Sequence, residues 1–389
     1  MEEADLKVGL TISPHLQTMR ERMQINGRLI SKREFISLIN QIKPVVKKME
    51  SSKWGKPSYF EVLLAAAFSY FAQKKVDLAV VETGMGGRVD GTNVLQSRIA
   101  VLTNIGLDHM EVLGKTKALI LKDKMQIIKP DCSAAITCIT QKNFLKIIKN
   151  HCQIQNVPLF VYKQGFNAKN KYSNPNYSQF NFIFNKKRIK DIKLNLAGIY
   201  QIDNACLAIA SCLKLTEATK SQLSNKTIKK ALSKTFFPGR METIFQRPLI
   251  IFDGAHNEDK IKALVQSIKV LYPKQKFIIV FGVKKDKEVK KMLLLLKTIS
   301  NEFVLTQFGR ATDMGFKLNY PVKKLFQQAK KIMPKTKLYL RKDINKALKK
   351  AQKLAKAKKA SILLTGSLYL VGEARQYFKL RPNRRAPRL

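Results

Sequence analysis

Short apolar runs ending at Gly, Asp or Asn alternate along the chain with longer amphipathic stretches. Residues 76–81 read as a buried strand and residues 98–103 as another, because continuous apolar runs of this length suit a parallel sheet covered on both faces. A helix is predicted over 58–73, where Phe60, Leu63, Leu64, Ala67, Phe68 and Phe71 recur at helical spacing. Residues 204–215, rich in Ala and Leu, predict a second buried helix, and residues 7–10 an early strand. The stretch 163–190, rich in Asn, Tyr and Lys, reads as a surface excursion or β-hairpin.

A later block repeats the rhythm. Apolar runs at 248–252, 277–281 and 361–364 end at Asp253, Gly282 and Thr365-Gly366-Ser367, with Lys- and Leu-rich helical stretches between them. Such βαβ alternation predicts a second open α/β sheet. Phe237-Pro238-Gly239 interrupts the pattern, so the expected division is 1–236, 237–380 and a basic tail over 381–389. No internal repeat is present.

Composition adds limits. A chain of 389 residues suits two domains on a prior of roughly 150 residues each. With 45% hydrophobic and 26% charged residues it can bury a real core, and no apolar run approaches the ~20 residues of a membrane span. Met1-Glu2-Glu3-Ala4-Asp5 lacks the basic and apolar regions of a signal peptide. The five cysteines form no CxxC pair and have no histidine at zinc spacing, so reduced thiols and a cytoplasmic location are expected. The net charge of +46 runs along the whole chain and is not gathered beside aromatics, so nucleic acid is not the expected partner. It leaves two readings, a solvated Lys-rich surface or electrostatic attraction of anionic substrates.

In open α/β sheets ligands bind beyond the carboxyl ends of the strands. Glu82 and the string Thr83-Gly84-Met85-Gly86-Gly87-Arg88-Val89-Asp90-Gly91-Thr92-Asn93 follow the first buried run, and three glycines in four positions allow close approach to a ligand. A carboxylate there can hold Mg²⁺, which takes oxygen donors; it can equally be a salt-bridged residue under a turn. The next run ends in Asn104-Ile105-Gly106-Leu107-Asp108-His109, placing His109 one strand from Glu82 on the same sheet edge. Imidazole is an unusual Mg²⁺ ligand, so spacing alone leaves His109 open.

These strings resemble the signature of the folylpolyglutamate synthase and dihydrofolate synthase family. Glu82 to Asn93 is similar to its glycine-rich motif and Thr103 to His109 to the motif after it. Ser13-Pro14-His15-Leu16, Tyr59-Phe60-Glu61, Pro238-Gly239-Arg240-Met241-Glu242, Asp253-Gly254-Ala255-His256-Asn257 and Thr365 to Glu373 follow in family order over nearly the whole chain. The resemblance implies an α/β, Mur-ligase-like fold: an N-terminal P-loop-type ATPase domain on a parallel sheet and a smaller Rossmann-like C-terminal domain. It implies that Ser13, Glu82, His109 and Lys124 hold Mg²⁺, about two ions, with Lys124 carried as a carbamate. Around Lys124, Met125-Gln126 stands where the family has a smaller pair. Asn204, Arg240, Asp253 and His256 would lie on the ATP side, and Ser58, Tyr59, Phe60, Glu61, Val89, Asp90 and Gly91 along the pterin side. Phe60 also sits on an apolar stripe and can be plain core.

The implied reaction is ATP-dependent addition of L-glutamate to dihydropteroate or to the glutamate tail of reduced folates, by a monomer without membrane contact. These ligases cradle ATP phosphates in a Gly-x-x-Gly-Lys-Ser loop. No such loop occurs here, where twelve residues precede Ser13. The expectation is a first sheet lacking its first strand and phosphate loop, with a gap at a strand edge and weakened ATP binding. Three alternatives remain: another Mur-type amide ligase, a catalytically impaired member acting only as a binding protein, and a basic nucleic-acid binder.

Overall fold

The computed structural model describes residues 1–219, 222–285, 287–309 and 319–382. The basic tail expected over 381–389 lies, from residue 383 onward, outside them.

The chain opens with a small mixed sheet in the order β3-β2-β1-β4. Strand β1 (Val8–Thr11) pairs antiparallel with β2 (Gln24–Ile25), which turns back into β3 (Arg28–Leu29), and parallel with β4 (Leu78–Val81). Between β3 and β4 run α1 (Lys32–Glu50) and α2 (Tyr59–Gln73). Helix α2 starts where the sequence predicts because Ser58 and Glu61 form a capping box: each side chain accepts from the other's backbone N–H. Its Leu63, Ala66, Ala67 and Phe71 pack on Met23, Ile30 and Leu38.

A separate parallel sheet follows, built from β5 (Ile99–Leu102), β6 (Ala134–Thr137) and β7 (Leu159–Val161), with α3 (Met110–Leu113), α4 (Lys117–Lys124) and α5 (Lys142–Ile154) in its connections. This corrects one expectation: β4 and β5 belong to different sheets and are not bonded to each other. Nor is the 76–81 run covered on both faces, since Val80 is 51% exposed. An apolar strand is buried only where a neighbour covers it. Among the described residues no strand lies on the free edge of β4 or of β5.

The Asn- and Lys-rich stretch forms a three-stranded antiparallel meander of β8 (Phe166–Ser173), β9 (Ser178–Phe184) and β10 (Lys187–Leu194), one strand more than a hairpin. Strand β9 alternates buried and half-buried positions, so Phe180, Phe182 and Phe184 share the face that meets α6 (Ile199–Ala218). Helix α7 (Asn225–Lys234) leads out of this region.

Residues 242–365 supply every strand of a six-stranded sheet in the order β11-β12-β16-β13-β14-β15. Strand β11 (Glu242–Gln246) is antiparallel to β12 (Leu249–Phe252). The rest are parallel: β13 (Phe277–Phe281), β14 (Glu302–Leu305), β15 (Lys337–Leu340) and β16 (Ser361–Thr365). One face packs α8 (Glu258–Leu271), α9 (Val289–Lys297) and α10 (Val322–Ile332), the other α11 (Ile344–Lys358) and α12 (Leu368–Tyr377). Every residue of β13, β14 and β16 is buried. At about 1.5–3 kcal/mol per large apolar side chain, this sheet is the strongest core of the molecule. Truncating Phe281, fully buried at the end of β13, would cost about 3–5 kcal/mol. One residue of the early segment, Leu16, is buried in this later core beside Val371 and Leu368.

Candidate active site

The glycine string after β4 folds into a loop held from two sides. Asp90, 9% exposed, accepts from Met85 N at 2.7 Å, Thr92 N at 3.0 Å and Thr92 Oγ1 at 2.6 Å. From α4, Asp123 accepts from Gly87 N at 2.9 Å and lies 3.6 Å from Arg88 Nε. Gly86 sits at φ +71°, where a Cβ would collide with the Asp123 carboxylate, so only glycine fits. The Phe60 ring packs beneath Gly84 and Gly91. Of the residues expected to line a pterin, Ser58, Glu61 and Asp90 therefore use polar atoms in bonds within the fold, and Phe60 and Gly91 pack together. Tyr59, with the Arg22 guanidinium 5.8 Å from its ring centre, and Val89, 74% exposed, are the ones that offer surface.

Glu82 begins this loop. Its Oε2 accepts from Ser13 N at 2.9 Å, which brings two of the four expected Mg²⁺ ligands together at the ends of neighbouring strands β1 and β4. Glu82 is exposed to solvent at the crevice; partial desolvation by the protein around it raises its carboxyl pKa against the opposing pull of the Ser13 amide, Arg240, Lys260 and Arg22. His109 stands at the entrance to α3 in a left-handed conformation (φ 52°), with its Nε2 3.9 Å from Asp108 Oδ1. Lys124 closes α4 directly below the glycine loop, its carbonyl against Gly87. No direct contact joins Lys124 to Ser13 or Glu82 among the described residues, and none there forms a cluster of three or more His, Cys, Asp or Glu. The hard oxygens of Ser13 and Glu82 fit Mg²⁺, and a carboxylate whose pKa is raised gains from a cation. An ammonium at Lys124 does not fit; its carbamate would.

The second domain presents the ends of β12 and β13 to this loop. Asp253, 3% exposed, accepts from Met241 N at 2.9 Å and Ala255 N at 2.8 Å, and Tyr200 of α6 hydrogen-bonds it. Burial raises its pKa. It thus fixes the Arg240 turn against the 253–257 segment, with the Arg240 guanidinium alongside Gly254. Asn204 lies on α6 four residues after Tyr200, its amide donating to Gln201 Oε1 at 3.0 Å. The His256 Nδ1 sits 2.8 Å from Gly254 O and its Nε2 2.9 Å from Lys260 Nζ. Burial holds that ring neutral, its pKa lowered to about 4.

Sequence reasoning missed the group that joins the two sides. Asp108 Oδ1 accepts from Lys287 Nζ at 2.5 Å and Oδ2 from Asn257 Nδ2 at 3.1 Å, with His256 Nε2 3.7 Å away. Burial would raise the Asp108 pKa, but His256 and the Lys287 ammonium outweigh it and hold the carboxyl far below the usual range. Asp108 was visible inside the second motif and Lys287 shortly after the end of β13; what sequence could not supply is that they meet. The crevice thus carries a carboxylate and a hydroxyl on one wall and Arg240, Lys260 and Lys287 on the other, which suits a polyphosphate with its cation.

Two family models match the chain: the Mur ligase middle domain over residues 35–212 and the C-terminal domain of dihydrofolate synthetase over residues 242–377. The dihydrofolate synthase/folylpolyglutamate synthase of Bacillus subtilis (strain 168) is 32% identical over 382 residues, covering 97% of this chain and 86% of that protein. Among solved structures, Mycobacterium tuberculosis folylpolyglutamate synthase complexed with ADP superposes with a TM-score of 0.91 at 28% identity, over 98% of this chain and 86% of the other. An FPGS–AMPPCP–folate complex superposes with a TM-score of 0.80 at 26% identity, over 97% and 85%.

Proposed function

Because the chain belongs to the folylpolyglutamate synthase and dihydrofolate synthase family of ATP-dependent ligases, we propose that it joins L-glutamate to dihydropteroate, to the glutamate tail of a reduced folate, or to both. The observation that carries this reading is the pairing of Ser13 N with Glu82 at the strand ends, opposite Arg240 and Lys260 of the second domain.

The chemistry runs in two steps. The substrate carboxylate attacks the γ-phosphorus of ATP, ADP leaves, and an acyl phosphate forms. The glutamate amine then attacks the acyl carbon, inorganic phosphate departs and the amine proton passes to solvent or base. Such transfers depend on positioning and charge neutralisation, so the working groups are cations and metal ligands. Arg240 offers a permanent planar fork for polyphosphate, while Asp253 holds its turn in place. Mg²⁺, held by Ser13 and Glu82 with His109 and a carbamylated Lys124 alongside, would supply charge neutralisation at the phosphates. Asn204 and His256 complete the nucleotide side. Tyr59 and Val89 face the folate, with Ser58, Phe60, Glu61, Asp90 and Gly91 shaping that wall.

We place the domain division at residues 236/237, with closure of 237–380 over the nucleotide. The acting unit is the monomer, since one chain supplies both walls of the crevice. The test is ADP release by this chain with dihydropteroate or tetrahydrofolate, with and without glutamate. Glutamate-dependent turnover on either substrate supports the reading. Nucleotide binding without turnover would make the chain a binding protein, and turnover independent of folate would make it another amide ligase.

A further inference from the structure

The loop that carries Ser13 meets the second domain at a buried arginine. Arg375 of α12 is 0% exposed. Its Nη1 pairs with Glu242 Oε1, its Nη2 donates to Arg381 O at 2.8 Å, and its Nε donates to Gln17 Oε1 at 3.1 Å. Gln17 Nε2 returns a bond to Leu380 O at 2.8 Å. The other Glu242 oxygen accepts from Gly239 N at 2.8 Å, at the turn that aims Arg240. On the first-domain side, Glu21 is 2% exposed and accepts from the amides of Leu16, Gln17 and Thr18. A Cβ at Gly372 would collide with the Leu16 carbonyl oxygen, so loop and helix are in direct backbone contact.

We propose that Arg375 is a positioning residue that locks the Ser13–Gln17 loop to the Arg240 turn, holding the two walls of the nucleotide crevice in register. The inference rests on the ligase reading for its catalytic consequence but on geometry alone for the lock. A guanidinium suits the role because its planar fork bonds three partners in fixed directions, and a fully buried cation tolerates no looser arrangement. Arg375 touches no reacting group; it acts through Ser13 at one end and Arg240 at the other.

Two variants leave the arginine and its partner Glu242 in the sequence: Gln17→Leu removes that side chain's two bonds to the second domain at nearly constant volume, and Gly372→Ala wedges α12 from the loop. In each, amide hydrogen exchange at 13–18 should rise at least about 10-fold while the amides of β13 and β16 keep parental protection. The kcat for ADP release should fall about 10- to 100-fold, as expected for displacement on the order of 1 Å, with the KM for glutamate near its parental value. Unchanged exchange at 13–18 would overturn the lock. Raised exchange with parental kcat would overturn its role in positioning. Parental protein that binds nucleotide without turnover would sink the ligase reading, and the exchange measurement would still decide the lock.

Discussion

Replacing Asp108 with Asn removes one charge from the junction of the two domains and leaves its shape. The carboxylate side chain is 19% exposed and its partner Lys287 only 7%, at 2.5 Å. Breaking a buried ion pair by removing one partner costs about 3–5 kcal/mol, because the other charge stays behind uncompensated. Solvent access at Asp108 lowers that expectation to about 2–3 kcal/mol, or roughly 30- to 150-fold in any equilibrium that closes the crevice. The assay is a double-mutant cycle on kcat/KM for ADP release with Asp108→Asn, Lys287→Met and the double variant, each checked for parental circular dichroism. If the pair acts as one unit, the double variant should be little worse than either single one, with a coupling of about 2 kcal/mol. Effects that add to within about 0.5 kcal/mol would refute the reasoning, since charges that meet in the working enzyme cannot be independent.

Glu82→Gln should abolish stabilisation by Mg²⁺, which at 100 times its dissociation constant is worth about 2.7 kcal/mol, while leaving the metal-free Tm equal or higher; an unchanged Mg²⁺ shift would contradict the assignment. Partial desolvation raises the Glu82 pKa, so Mg²⁺ affinity should weaken at a higher pH than for an ordinary glutamate, as protonation removes the ligand. The His256 pKa falls from 6.5 unfolded to about 4 folded, so between those values the unfolded chain binds more protons and stability drops as pH falls through that window. That contribution, up to about 3 kcal/mol, should vanish in His256→Gln, and parallel Tm–pH curves for the two proteins would dismiss it. Asp90→Ala strips three hydrogen bonds from the glycine loop and should cost about 2–4 kcal/mol in chemical denaturation; a loss below about 1 would mean the loop is held elsewhere.

Much of the architecture was readable from residues alone, for local reasons. The starts of α2 and the ends of β12, β13 and β16 follow from caps, periodicity and glycine placement, all within a few positions. The glycine string reads as a tight loop and folds as one, yet its inner support was not legible: Asp90 and Glu61 accept hydrogen bonds from the surrounding chain, a role that only the folded structure displays. Val80 reads as core because apolar runs usually have neighbours on both sides, and β4 has one on only one side. The links that join the domains were out of reach, since Asp108 and Lys287 are 179 positions apart and Gln17 and Arg375 are 358 apart. No periodicity or motif spacing encodes such a pair. Only the folded chain shows that Arg375, two positions after the motif's Glu373, turns into the core instead of the solvent.

The most direct measurement follows an oxygen atom. A substrate labelled with ¹⁸O in its reactive carboxylate is incubated with the protein, ATP, Mg²⁺ and glutamate, and the released phosphate is analysed by mass. If the crevice phosphorylates the carboxylate, one labelled oxygen per turnover must leave with the phosphate as the amide forms. Amide product accompanied by unlabelled phosphate would contradict the acyl-phosphate route.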